Sequence, residues 1–280
     1  MQNIYNIMEA VFPFTWIQYD FMKNALLAVL FITPLFGILG TMIVNNKMTF
    51  FSDALGHSAL AGIGIGMVLG VSDTDISMII FAVLFALLLN YIGSKNMVNT
   101  DTVISVFSSF SIALGLVILS KGGNFSKYSG LLLGDILSIT KGEIKTLFFV
   151  FAGVIIFWCI CFNPLLAVSM NSTLAKTKGI PVILIKNLFA IVIAIIVMLS
   201  IKWVGILLIN ALLILPAAAS RNIAENVREY HLFSVIFSMF SGILGLVISY
   251  YKNVASGPAI VIIAAIIFFA TYLYGRAGQK

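Results

Sequence analysis

An all-α, polytopic bundle of membrane-crossing helices, with about eight to nine spans and a short cytoplasmic helix, is the fold predicted for this 280-residue chain. Three observations predict it. Hydrophobic residues make up 61% of the chain and charged residues 9%, whereas a soluble domain carries about 25% charged residues. A chain of this composition cannot cover a globule with polar side chains, so its solvent is lipid. Several runs reach the ~20 apolar residues that a helix needs to cross a bilayer while satisfying its own backbone hydrogen bonds. Stretches within them, such as 187–201 and 259–272, are continuously apolar rather than alternating. A barrel would need strands of about 10 residues with alternating polarity.

The expected spans are 24–44, 50–70, 76–93, 102–120, 146–166, 185–201, 203–219, 232–251 and 257–274. One transmembrane domain accounts for them: an interfacial segment over 1–23, the helical bundle over 24–274 and a cytoplasmic tail over 275–280. Residues 7–16 are amphipathic and suit a helix lying along the interface. The apolar stretch 131–137 is too short to span and reads as a re-entrant piece or a surface helix. No long polar segment and no G-x-x-x-x-G-K-[ST] loop is present, so ATP, if it powers this chain, is bound by another one.

Lys and Arg in the loops orient the bundle. With the loop around Arg221 and Arg228 in the cytoplasm, Lys47, Lys95, Lys176, Lys178, Lys186, Arg276 and Lys280 also fall inside, a small excess over the opposite face. The net charge of +6 is too diffuse to mark a nucleic-acid partner. The first 20 residues hold Glu9 and Asp20 but no Lys or Arg, unlike the basic start of a secretory signal. Cys159 and Cys161 share one apolar run and read as small buried hydrophobes rather than a metal pair or a disulfide.

Ionisable residues inside apolar spans are costly and mark function by default. Asp53 and His57, in SDALGHS, are four apart and share one helix face. A carboxylate oxygen with an imidazole nitrogen suits zinc, manganese or ferrous iron. The plainer alternative has Asp53 capping the helix and His57 bonding a neighbouring span. Asn210, inside an apolar run, is a candidate third ligand or an interhelical hydrogen bonder. His231 lies in a charged loop. No H-E-x-x-H and no G-x-S-x-G with a partner histidine is present, which excludes the common protease signatures. The polar stretch PAAASRNIAENVREYH, after an apolar span, reads as a short cytoplasmic helix on which another protein could push, or as an ordinary amphipathic loop.

Four segments, in order, carry a resemblance: SDALGHSALAGIGIG (52–66), LLLGDIL (131–137), WVGILLINALLILPAAASRNIA (203–224) and SYYKNVASGPAIVIIA (249–264). Together they resemble the permease family of bacterial ABC importers for zinc, manganese and iron. The resemblance implies a membrane permease subunit of the inner membrane, not an enzyme, with no permanently bound cofactor. It would form a homodimeric pore, take a divalent metal from an extracytoplasmic metal-binding protein, and be driven by ATP through two cytoplasmic ATPase subunits. By that similarity Asp53 and His57 match the pore's metal-coordinating pair. Ser220, Arg221, Asn222, Glu225, Arg228 and Glu229 fall in the segment expected to form the coupling helix. Zinc is favoured over manganese, because Gly56–Leu60 looks like the zinc-type members. The alternatives are a proton-coupled metal carrier, a permease for chelated iron and a membrane scaffold. Two departures stand out: Ala61 where many members have Pro, and Asn171 where many carry Asp, the latter expected to alter a cytoplasmic contact.

Overall fold

The structure is a computed structural model and describes residues 5, 8–9, 15–93, 100–121, 126, 128, 130–132 and 134–278. Among these residues there are ten α-helices and no strand. They are α1 (Asp20–Asn45), α2 (Thr49–Val68), α3 (Thr74–Gly93), α4 (Thr100–Lys121), α5 (Lys141–Met170), α6 (Ser172–Thr177), α7 (Val182–Val204), α8 (Ile206–Arg221), α9 (Val227–Lys252) and α10 (Ser256–Gly278). All but α6 coincide with the expected spans. Seven are long and apolar enough to cross a bilayer, leaving out α2 and the 16-residue α8. α10 continues to Gly278, past the expected start of the tail.

The boundary between α7 and α8 falls three residues after Lys202, where the expected spans already divide, with no extended polar loop between them. Gly205 supplies the break: its φ of 80° and ψ of 157° lie in a region open essentially to glycine alone.

Three expectations are corrected or sharpened. The described residues of the stretch 131–137 contain no α-helix, so the expected surface helix is absent. They form two 3-10 turns, Gly130–Leu132 and Ile136–Ser138. Gly134, at φ +64°, ends the first, and the Asp135 side chain caps the second by accepting from the Leu137 amide at 3.0 Å. The expected coupling helix over 221–229 is not a separate helix either. Arg221 ends α8, residues 222–226 turn, and Asn226 caps the start of α9. Polarity and the family resemblance together carried that expectation, and polarity equally describes a capped corner.

The third concerns Asn171. It is the N-cap of α6, its side-chain oxygen accepting from the Thr173 and Leu174 amides at 3.0 Å each. Asn and Asp serve equally well in that role, so the substitution leaves the local turn intact. Asn171→Ala is expected to lower stability by about 1 kcal/mol, read as a shift in the thermal melt of the detergent-solubilised protein. Asn171→Asp should leave the melt unchanged.

Of the amphipathic segment 7–16, most lies outside the described residues. Met8 and Trp16 are buried, and Glu9 pairs with the nearly buried Lys23 at 2.5 Å, which ties this segment to the start of α1.

The chain divides into two packed units, residues 1–41, 135–155 and 211–280 in one, 42–134 and 156–210 in the other. In the first, α9 presents small residues to α1: Ser234 donates to the Gly37 carbonyl at 2.7 Å, and Tyr230 to that of Thr41 at 3.3 Å. Small residues let helices approach closely where lipid offers no hydrophobic drive. In the second unit α2 is central, packed against α3, α4 and α7. Thirteen of its 20 residues are buried.

Candidate metal centre

Seven positions of α2 are not buried: Thr49, Phe50, Asp53 and His57, which form a partly uncovered stripe along its first half, and Ile65, Met67 and Val68 at its end. Spacings of three and four put Phe50, Asp53 and His57 on one face. The Asp53 side chain is 47% exposed and that of His57 31%. The His57 Nε2 lies 3.7 Å from Asp53 Oδ1, too far for a hydrogen bond. The separation suits a shared ion: two bonds of about 2.1 Å span it at an angle of about 120°. Asp53 is not the N-cap of α2, since Met48 holds that place without a side-chain bond. The capping alternative for Asp53 is thereby removed.

Asn210, 157 positions away in sequence, is brought to the same carboxylate. Its Nδ2 donates to Asp53 Oδ1 at 2.5 Å, while its own Oδ1 is buried without a hydrogen-bond partner. Gly56 permits this approach. A Cβ there would lie 2.9 Å from Ile206 Cγ2 and 3.7 Å from Asn210 Nδ2, so a side chain at 56 pushes the start of α8 away from α2.

Among the described residues no group of three or more His, Cys, Asp or Glu side chains is gathered. Cys159 is exposed and Cys161 buried, on different faces of α5, so the C-x-C spacing does not make a metal pair. His231 sits on α9, its Nδ1 2.7 Å from the Val227 carbonyl oxygen.

The sequence reading missed two polar features in the unit that holds the pair. A cavity of about 520 Å³ adjoins the start of α2, lined among others by Lys47, Phe51, Asn90, Asp101 and Lys186. Across α3 and α7, Lys202 Nζ meets Asp75 Oδ2 at 2.6 Å. Charge in the flanking loops was the available signal for Asp75 and Lys202, but nothing in the sequence pairs them.

At the α8–α9 corner the six expected coupling residues divide by role. Ser220 is fully buried, its hydroxyl donating to the Ala217 carbonyl at 2.9 Å. Asn222 donates to Thr271 Oγ1 at 3.3 Å. Glu229 closes a capping box: its carboxylate accepts from the Asn226 side chain at 2.7 Å and from the Glu225 amide at 3.0 Å, and its own amide donates to Asn226 Oδ1. Arg221, Glu225 and Arg228 stand exposed.

Comparison with known proteins defines the class. Residues 18–275 match the ABC 3 transport family. The chain is 30% identical to the manganese import system permease protein ScaB of Streptococcus parasanguinis over 264 residues, 94% of each chain. It is 30% identical to the high-affinity zinc uptake system membrane protein ZnuB of Haemophilus influenzae, covering 90% of this chain and 96% of that one. A chain of PsaBC from Streptococcus pneumoniae, solved in complex with Fab, superposes with a TM-score of 0.81 at 28% identity, covering 97% of this chain and 95% of that one. A multi-pass membrane permease of the inner membrane, not an enzyme, is what fold and relatives define. The chain belongs to the ABC 3 transport family. Membership sets aside the proton-driven carrier and the passive scaffold.

Proposed function

We propose that this permease carries a divalent transition metal into the cell, with Asp53 and His57 as its ligands. The observation that carries the reading is the uncovered stripe of α2. A carboxylate and an imidazole in the first half of a largely buried helix of a membrane bundle cannot face lipid without large cost. They face a polar path or another protein, 3.7 Å apart and unbonded to each other. Relatives named for manganese and for zinc support the same class of cargo.

Two protein ligands are fewer than the three or four that hold zinc elsewhere. A second copy of the chain, presenting the same stripe across a two-fold axis, would complete the set. A site assembled this way binds briefly and releases, as conduction requires. The ATP-binding subunits, supplied by separate chains, would push on the cytoplasmic corner at Arg221, Glu225 and Arg228, the three coupling candidates left free of internal capping. An extracytoplasmic metal-binding protein would deliver the ion.

Zinc is the favoured cargo, since one imidazole and one carboxylate oxygen per chain suit a four-coordinate ion. Manganese is the second reading, favoured by the relatives named for that metal. The test is competitive uptake of radiolabelled zinc and manganese. The host lacks its own importers and expresses the chain with its ATPase and binding protein. ATP-dependent accumulation of zinc in preference to manganese supports the first reading, and the reverse order the second. Accumulation of neither, with all subunits in the membrane, overturns both.

A further inference from the structure

Asn210 sits against the pair without offering it a ligand atom. Its amide nitrogen, which cannot bind a cation, points at Asp53 Oδ1 from 2.5 Å. Its oxygen, which could, is buried and unpartnered. A buried carbonyl left unpaired is costly and calls for a reason. Turning the amide over would set its oxygen against the carboxylate oxygen, two acceptors facing each other, so the charge of Asp53 selects the observed orientation. The bond is charge-assisted and accordingly strong. Close packing at Gly56 and Ile206 holds the amide where it is.

We infer that Asn210 is a positioning residue that fixes Asp53 as a one-oxygen ligand and thereby sets the preference between metals. The oxygen that Asn210 holds is the one 3.7 Å from His57 Nε2. The carboxylate cannot rotate to offer both oxygens to one ion without breaking the bond to Asn210. A monodentate carboxylate beside an imidazole suits a small four-coordinate ion such as zinc. Manganese takes more oxygen donors in an octahedral shell, and a carboxylate locked in this way supplies fewer of them. The inference rests on the proposal that Asp53 and His57 hold the transported ion.

The experiment uses the complete transporter, this chain with its ATPase and binding protein, and three permease variants. Asn210→Leu and Asn210→Val stay close to the size of the side chain and remove the donor without adding a charge. His57→Ala removes a ligand. Two quantities are read with the metals alone as probes: zinc binding to the purified permease–ATPase complex, and the ratio of zinc to manganese taken up in competition. Loss of an outer partner of a metal ligand typically lowers affinity about 10–100-fold. Both Asn210 variants are therefore expected to lose about tenfold or more in zinc affinity and to shift competition toward manganese.

A residue needed only for packing would leave both quantities unmoved in the two variants of similar size. Zinc affinity within about twofold of native and an unchanged ratio, with His57→Ala inactive, would overturn the inference and leave the metal pair standing. Native binding by His57→Ala would overturn the pair and the inference with it. If Asn210→Leu fails to reach the membrane, Asn210→Ser, too short to reach Asp53, replaces it under the same criteria.

Discussion

Replacing His57 by alanine is expected to abolish metal uptake while leaving the protein as stable as before. The ring is partly buried, contributes no hydrogen bond among the described residues, and stands 3.7 Å from Asp53 Oδ1. Alanine is the best helix former, and position 57 lies on the stripe of α2 that its own unit does not cover. Little folding energy is therefore at stake. Coordination is another matter. Outer partners of metal ligands alone are worth about 10–100-fold in affinity or activity, and loss of a ligand atom exceeds that. The remaining donor, Asp53, is held by Asn210 and cannot swing to replace the imidazole. Uptake is expected to fall more than about 100-fold with the melting temperature unchanged. A variant that transports normally removes His57 from the site. A variant that unfolds would show the ring to be structural.

The second large effect is on packing. Gly115 of α4 meets the backbone of α2, and a Cβ at that position would lie 2.6 Å from the Leu60 carbonyl carbon and 2.7 Å from the Ala61 nitrogen. No rotamer relieves a clash with backbone, so α2 and α4 must part. Inserting bulk into a tight contact costs about 1–3 kcal/mol, occasionally more. Gly115→Val adds three carbons where one does not fit, and it moves the helix that carries Asp53 and His57. A drop of about 5 °C or more in melting temperature is expected, with loss of metal binding. Gly153→Val is the matched control, because a Cβ there would meet nothing within 4 Å. It should melt like the native protein. Equal melts for the two variants would show that the α2–α4 contact has room to spare.

What the sequence could and could not convey follows from the range of each signal. The seven helices long and apolar enough to cross were legible because continuous apolarity over about 20 residues has one meaning in lipid. Asp53 and His57 were legible because four residues is one turn, so their pairing is local. Asn210 was visible only as a polar residue in an apolar run. That it bonds Asp53, and by which end of its amide, depends on the approach of α8 to α2 at Gly56 and Ile206, a contact across 150 residues with no local trace. Gly205 was hidden for a different reason: in a membrane span a glycine more often marks close packing than a break. The corner at 222–226 reads as helix from its polar, charged composition after an apolar span and from the family resemblance, and only the capping bonds of Asn226 and Glu229 show where α9 begins.

The placement of α2 at the centre of its unit has a consequence for biosynthesis. It is the second long helix to be made, and every helix that wraps it, α3, α4 and α7, lies later in the chain. α2 is also absent from the set apolar enough to cross by composition, and it carries two ionisable side chains. It therefore enters the membrane before those three helices exist to shelter it. α7, which brings the start of α8 and with it the partner of Asp53, follows more than a hundred residues behind. A ribosome stalled after α4 leaves a half-built unit with Asp53 and His57 facing lipid or the insertion machinery. Such fragments should be the form in which quality-control proteases meet this protein.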